Sequence, residues 1–227
     1  MPIGGRTSQQ FIELQNVLQN LEWSGNEDTW LWDLDQNGFF SVSSARKHID
    51  SIMLHSGDRP TRWNNCVPIK VNILGWRINL DRLPTRKNLV DKGIDLSSLL
   101  CPMCGDHIED VSHVFVRCEV ACHTWEIIFR WFGISTPIFV LIDDIMDWVD
   151  SVQLSHNRRK ILEAVMLTTM WVIWKFRNNK VFGDLKMKRS TIFDFIVANA
   201  FEWCSSRSKV CSKNWTLWLQ NPMLCIM

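Results

Sequence analysis

The chain contains no tyrosine, although thirteen tryptophans and twelve phenylalanines are spread over its 227 residues. Any chemistry that needs a phenol is therefore excluded. Charge of one sign is lacking too: the formal net charge is +1, so the average points to no partner. No apolar run approaches the roughly 18 residues of a membrane helix. The longest candidate, residues 164–173, is followed at once by Lys175 and Arg177. Residues 1–20 are polar, with Phe11, Leu14, Val17 and Leu18 at helical spacing, and do not read as a signal peptide. The HExxH, P-loop, GxSxG and GxGxxG patterns are all missing, which argues against an enzyme. Internal repeats and low-complexity tracts are missing as well. What remains, 46% hydrophobic and 22% charged residues, is a globular composition.

The charge that is present is segregated. Between positions 62 and 92 seven basic residues face Asp81 and Asp91, a local +5, and between 156 and 189 nine basic residues face Glu163 and Asp184, a local +7. Acid collects at Glu22, Glu27, Asp28, Asp33 and Asp35 and at Asp143, Asp144, Asp147 and Asp150. Such a distribution gives a neutral protein a positive face, or else amphipathic helices with solvated basic sides.

Periodicity organises the chain as mainly α with one short β-hairpin. Residues 7–21 form an amphipathic helix. Trp30 and Trp32, the Asn37-Gly38 turn signal, then Phe40 and Val42 alternate as a hairpin of 29–34 and 39–43. Ser43 or Ser44 caps a helix to about residue 54, followed by a loop at 56–60. Pro68 opens a helix over 69–79, and Pro84 opens another over 85–92, closed by Gly93. Further helices are expected at 121–132, 145–152, 158–181 and 192–203. The implied division is a helical segment 1–28, a domain 29–132 around the cysteines, and a helical region 133–227.

The chemistry concentrates in CPMCGDHIEDVSHVFVRC, residues 101–118. Cys101-x2-Cys104 lets one tight turn aim two sulfurs at one ion. His113 and Cys118 complete a C-x2-C-x8-H-x4-C set, and four N/S ligands satisfy tetrahedral zinc with no position left for water, which makes the site structural. Pro102 and Gly105 suit the turn. Cys122, one helical turn beyond Cys118, is an alternative fourth ligand, and His107 sits at the loop tip. A reducing intracellular compartment is expected, with the eight cysteines present as thiols or metal ligands.

Other patterns are weaker. DLDQNG at 33–38 imitates a calcium loop, but position twelve is Ser44 where a glutamate belongs, so Asn-Gly reads as the hairpin turn. WVIWKFRNNKVF at 171–182 interleaves aromatic and basic residues, either a nucleic-acid face or a core stripe of Trp171, Trp174 and Asn178. Asp143-Asp144 reads as a helix cap.

TWLWDLDQNGFFSVSSAR, then WNNCVPIKVNILGWRINLDRLPTRKNLVDKGID, then the cysteine stretch and a tryptophan-bearing helix resemble the zinc-binding domain of plant non-LTR retrotransposon reverse transcriptases, over roughly 29–132. The resemblance implies one structural zinc on Cys101, Cys104, His113 and Cys118, and a module beside a polymerase acting on RNA and DNA. The aromatic-x-Asp-Asp loop of such a polymerase is missing. The expectation is a non-catalytic accessory module binding RNA or DNA, or docking a reverse transcriptase core, through Arg62, Lys70, Arg77, Arg82, Arg86 and Lys87. No membrane and no small-molecule substrate are expected. A Trp-rich interaction scaffold and a functionless relic are the alternatives.

Overall fold

The structure, a computed structural model, describes residues 6–19, 30–53, 62–183, 187–209 and 211–226. The expected loop at 56–60 and the expected helix ends at 20–21 and 54 lie outside them. The chain divides into two compact units, 1–56 and 57–227.

The first unit holds α1 (Arg6–Gln19) and α2 (Val42–Met53). The β-hairpin expected between them does not form: among the described residues there is no strand and no sheet. Instead the chain folds into a closed turn, in which Trp32 N–H donates to Gly38 O, Gly38 N–H to Asp35 O, and Asn37 N–H to the Asp35 carboxylate. The reason is physical. Alternation specifies a strand only where one face finds a partner, and here Trp30, Leu31, Phe39, Phe40 and Val42 all stay exposed. Trp32 instead packs edge-on against Phe40 and donates its indole N–H to Ser44. The turn needs glycine at 38, where φ is 69° and an added Cβ would sit 2.8 Å from Leu31. The helix start also moves forward. Ser41, not Ser43 or Ser44, accepts the Ser44 N–H at the head of α2, so Val42 enters the helix.

The second unit is helical: α3 (Ile69–Asn79), α4 (Arg86–Val90), α5 (Glu119–Phe132), α6 (Ile142–Ser151), α7 (His156–Phe182), α8 (Ile192–Arg207) and α9 (Trp215–Gln220). α7 is the axle. At 27 residues it spans about 40 Å, and its middle is buried on nearly every side, from Ile161 and Leu162 through Thr168 and Thr169 to Ile173 and Phe176. A helix apolar all round belongs inside, and α3, α6, α8 and the segment before α5 pack on it. α5 ends at Gly133 with a Schellman pattern, Gly133 N–H to Arg130 O and Ile134 N–H to Phe129 O. α6 starts at Ile142 rather than 145, so Asp143 and Asp144 lie inside its first turn instead of capping it from outside, and Asp144 reaches back to accept from Val140 and Leu141 N–H. No helix among the described residues is long and apolar enough to cross a membrane.

The turn between α3 and α4 positions everything downstream. Asp81 adopts φ 49°, and the buried Asn88 amide bridges Asp81 O, the Asp81 carboxylate and Leu83 O at 2.9, 2.9 and 3.1 Å. Thr85 caps α4 by accepting Asn88 N–H. Truncating Asn88 to alanine strands those carbonyls without a donor. Urea denaturation of Asn88→Ala is expected to show a loss of about 1–3 kcal/mol; an unchanged midpoint would mean that this turn does not depend on the amide.

Candidate metal centre

The knuckle begins where the chain doubles back. Leu100 and Ile108 form an isolated antiparallel bridge. Inside it Cys101 N–H donates to His107 O (2.7 Å) and Gly105 N–H to Cys101 O (2.8 Å). Gly105 takes φ 82°, the left-handed conformation that lets two sulfurs three residues apart face the same point. This supplies Cys101 and Cys104.

His113 and Cys118 come from a single π-helical turn, His113–Arg117, closed by Cys118 N–H donating to His113 O at 2.7 Å. The wider turn matters. In an α-helix of 3.6 residues per turn, residue i+5 is swung about 140° from residue i; a π-turn brings it back over residue i. Asp110 holds the start of this turn, accepting His113 N–H at 2.6 Å and a bidentate grip from Arg117 at 2.8 and 2.7 Å. Burial pushes the Asp110 carboxyl up, but the amide and the guanidinium outweigh it and leave the group below its ordinary range.

The result is a compact donor set. The sulfurs of Cys101, Cys104 and Cys118 and a ring nitrogen of His113 all lie within 4.8 Å of one another, with Cys104 Sγ 3.3 Å from His113 Nε2. Tetrahedral zinc with bonds of 2.0–2.3 Å needs ligand atoms about 3.3–3.8 Å apart, so these side chains fit the ion with little movement. Cys101, His113 and Cys118 are buried and Cys104 is half-buried. The Cys118 thiol hydrogen-bonds Cys101 and draws it down to about 5, and the same contact pushes Cys118 up. Two sulfurs this close share one proton, and a cation displaces it. All four positions are protein ligands, so the ion would hold structure and leave no seat for a reactive water.

Cys122 does not join the set. Its exposed side chain donates to Val116 O at 3.1 Å. His107 is exposed and stacks on His113, ring centroids 5.4 Å apart.

The knuckle is tied to the rest of the unit through residues that no sequence motif marks. Glu109 is fully buried and accepts from Arg177 of α7 at 2.5 and 2.8 Å and from Arg86 N–H at 2.9 Å. Arg177, itself buried, stacks over Trp174 and also donates to Pro84 O. A signal was present: Arg177 falls on the stripe of Met170 and Ile173, and a cation on an apolar stripe implies a buried carboxylate elsewhere.

The six basic residues expected on a nucleic-acid face separate into two groups. Arg62 is held by Asp150 and Glu163, Arg86 donates to Ser98 O and Leu100 O at the root of the knuckle, and Lys87 pairs with Asp91 at 3.6 Å. Lys70 and Arg77, seven residues apart on α3, are exposed, as is Arg82, whose carbonyl accepts from Arg77. Lys70 lies over Trp171 (5.0 Å) and Trp203 (6.0 Å), and Lys175 over Trp171 (5.2 Å). Trp171, Trp174 and Asn178 are each half-buried, with the two tryptophans packed against the core.

The geometry defines a closed Cys3His metal knuckle. Residues 40–125 match the family described as zinc-binding in reverse transcriptase. All four ligands fall inside that span, and the cofactor is one structural zinc ion. Neither the curated proteins nor the solved structures contain a match to this chain.

Proposed function

We propose that this chain is a non-catalytic accessory module, derived from a non-LTR retrotransposon reverse transcriptase of plant type, that holds RNA or DNA. The match of 40–125 to a reverse-transcriptase zinc-binding segment carries the reading. A closed zinc centre supports a structural rather than catalytic role for the metal. Eight unpaired cysteines suit a reducing compartment inside the cell.

The face that best fits a phosphate backbone is the exposed Lys70, Arg77 and Arg82 with the half-buried Lys175 of α7, where Lys70 and Lys175 adjoin the half-buried Trp171. Arg62 and Lys87 are left out because carboxylates already hold them, and Arg86 because it is half-buried with two carbonyls at the root of the knuckle on its guanidinium, whereas Arg77 makes a single carbonyl contact and stays exposed. Trp125, Trp131, Trp203 and Trp218 are committed to the interior, whereas Trp30, Trp63 and Trp215 are exposed, and these exposed rings are what a Trp-rich interaction scaffold, the alternative reading, would use.

Zinc-loaded protein carrying Lys70→Glu, Arg77→Glu and Arg82→Glu together is expected to bind single-stranded RNA or DNA at least tenfold more weakly in fluorescence anisotropy at low salt. Its log-affinity against log-salt slope should shrink by roughly 0.7 for each phosphate that the variant no longer neutralises. Equal affinity for the variant and the parent would remove this face from the proposal.

A further inference from the structure

The stretch 171–182, where the sequence interleaves aromatic and basic residues, keeps one side towards solvent. Trp171, Lys175, Asn178 and Phe182 follow one another at helical spacing along α7, over about 16 Å. The first three are half-buried, but Phe182 is 67% exposed. α8 runs antiparallel beside this side. Trp203 meets Trp171 edge-on with ring centroids 5.2 Å apart, and further along Phe195, 42% exposed, has its ring centroid 5.9 Å from the Lys175 ammonium.

The cations here rest on rings rather than on carboxylates. Lys70 Nζ lies 5.0 Å from the Trp171 centroid and 6.0 Å from that of Trp203, and Lys175 Nζ lies 5.2 Å from Trp171 on its way to Phe195. Among the described residues no carboxylate pairs with either lysine. An ammonium over an aromatic face keeps its charge for a phosphate, which one in an ion pair does not. The acid on this side of α8 is Glu202, exposed, next to Trp203 and about 10 Å along the helix from Phe195.

We infer that Phe195 and Phe182 are base-stacking residues, and that this side of α7 and α8 takes single-stranded rather than duplex nucleic acid. The inference rests on the RNA- or DNA-binding reading above and names the form of strand that the same face accepts. A phenyl ring standing out from a helix surface offers a π-face to any base whose own face is free. In a duplex both faces of a base are covered by its neighbours, so the ring gains nothing until a base is unstacked; in a single strand the base is available at once. Lys175, placed between Trp171 and Phe195, receives the phosphate beside the stacked base, and Lys70 receives one further along. Trp171 and Trp203 act by positioning the two lysines. Trp203 is buried, and both ammoniums already sit about 5–6 Å from the pair of indoles. Because every base has a π-face, the contact discriminates strandedness and not sequence.

The test uses the full-length, zinc-loaded chain. In fluorescence anisotropy at low salt, a short labelled strand of mixed sequence is compared with the same strand annealed to its complement. The parent should hold the single strand at least about tenfold more tightly than the duplex. Phe195→Leu and Phe182→Leu keep the apolar bulk and remove the π-face. Each should weaken single-strand binding by about fivefold or more and leave the salt slope unchanged, since no cation is lost. Irradiating the parent with an iodouridine-bearing strand supplies a readout free of any substitution. Adducts are expected on Phe195, within the tryptic peptide 190–207, and on Phe182, within 181–186. Equal affinity for strand and duplex, full affinity in both leucine variants, or adducts confined to other peptides overturns the inference. If any of these accompanies weakened binding by the Lys70, Arg77 and Arg82 variant, the phosphate face stands and the stacking does not. A parent that binds neither strand nor duplex overturns both.

Discussion

Chelating the zinc is expected to unfold the segment from about residue 95 to 119 and to loosen the core packed on it. The donor atoms are not surface decoration. Cys101, His113 and Cys118 are buried, and the turn that joins the last two carries Val114, Phe115 and Val116, each at most 4% exposed. Phe115 reaches Trp174 of α7, and its carbonyl accepts the Trp125 indole N–H at 2.7 Å. Without the cation three sulfurs and an imidazole stand within 4.8 Å of one another with one shared proton between the Cys101 and Cys118 sulfurs to hold them. Structural zinc supplies on the order of 10 kcal/mol, against a total domain stability of about 5–15 kcal/mol, so most of the folding free energy would disappear. Elemental analysis should give one zinc per chain, and circular dichroism should fall when a chelator removes it. Cys104→Ser should abolish both the zinc and the folded signal, while Cys122→Ser should leave both unchanged. A folded, zinc-free protein indifferent to chelation would sink this account.

Arg177→Met is expected to destabilise the second unit by about 3–5 kcal/mol, since it leaves Glu109 charged and buried without its partner. Glu109 is fully buried and Arg177 nearly so, and solvent cannot replace either one. Desolvating both ions costs several kcal/mol each, and their attraction offsets this only while the bidentate geometry and the Arg86 N–H bond persist. Replacing both at once, Glu109→Leu with Arg177→Met, removes the two charges together and should recover much of the loss. Urea denaturation of the two single variants and the double variant separates the cases. If the single losses simply add, the ion pair is not the coupling. The Arg177→Met variant should also hold zinc more weakly, because Glu109 follows the Leu100–Ile108 bridge that shapes the knuckle.

The backbone-local signals were readable in the sequence, and they concern the helices and the metal. Pro68 starts α3 at Ile69 and the helix ends at Asn79, as expected. Gly133 stops α5. The ligand spacing of Cys101, Cys104, His113 and Cys118 already contained the donor set, since a CxxC turn and a nearby His and Cys constrain each other over few residues. These effects act within a turn or two of chain, where residue type and backbone conformation are directly coupled.

Only the tertiary structure decided the rest. The alternation at 30–42 met the local rule for a hairpin but found no partner face, so the chain closed as a turn. The π-turn that aligns His113 with Cys118, and whose Phe115 lies against Trp174 of α7, is marked by nothing in the ligand spacing. Arg62 and Arg86, which look like free cations in the sequence, are held by Asp150, Glu163 and the carbonyls of Ser98 and Leu100. Glu109 meets Arg177 across 68 positions. A charge carries no mark of its distant partner, because the pairing depends on which helix faces bury against one another.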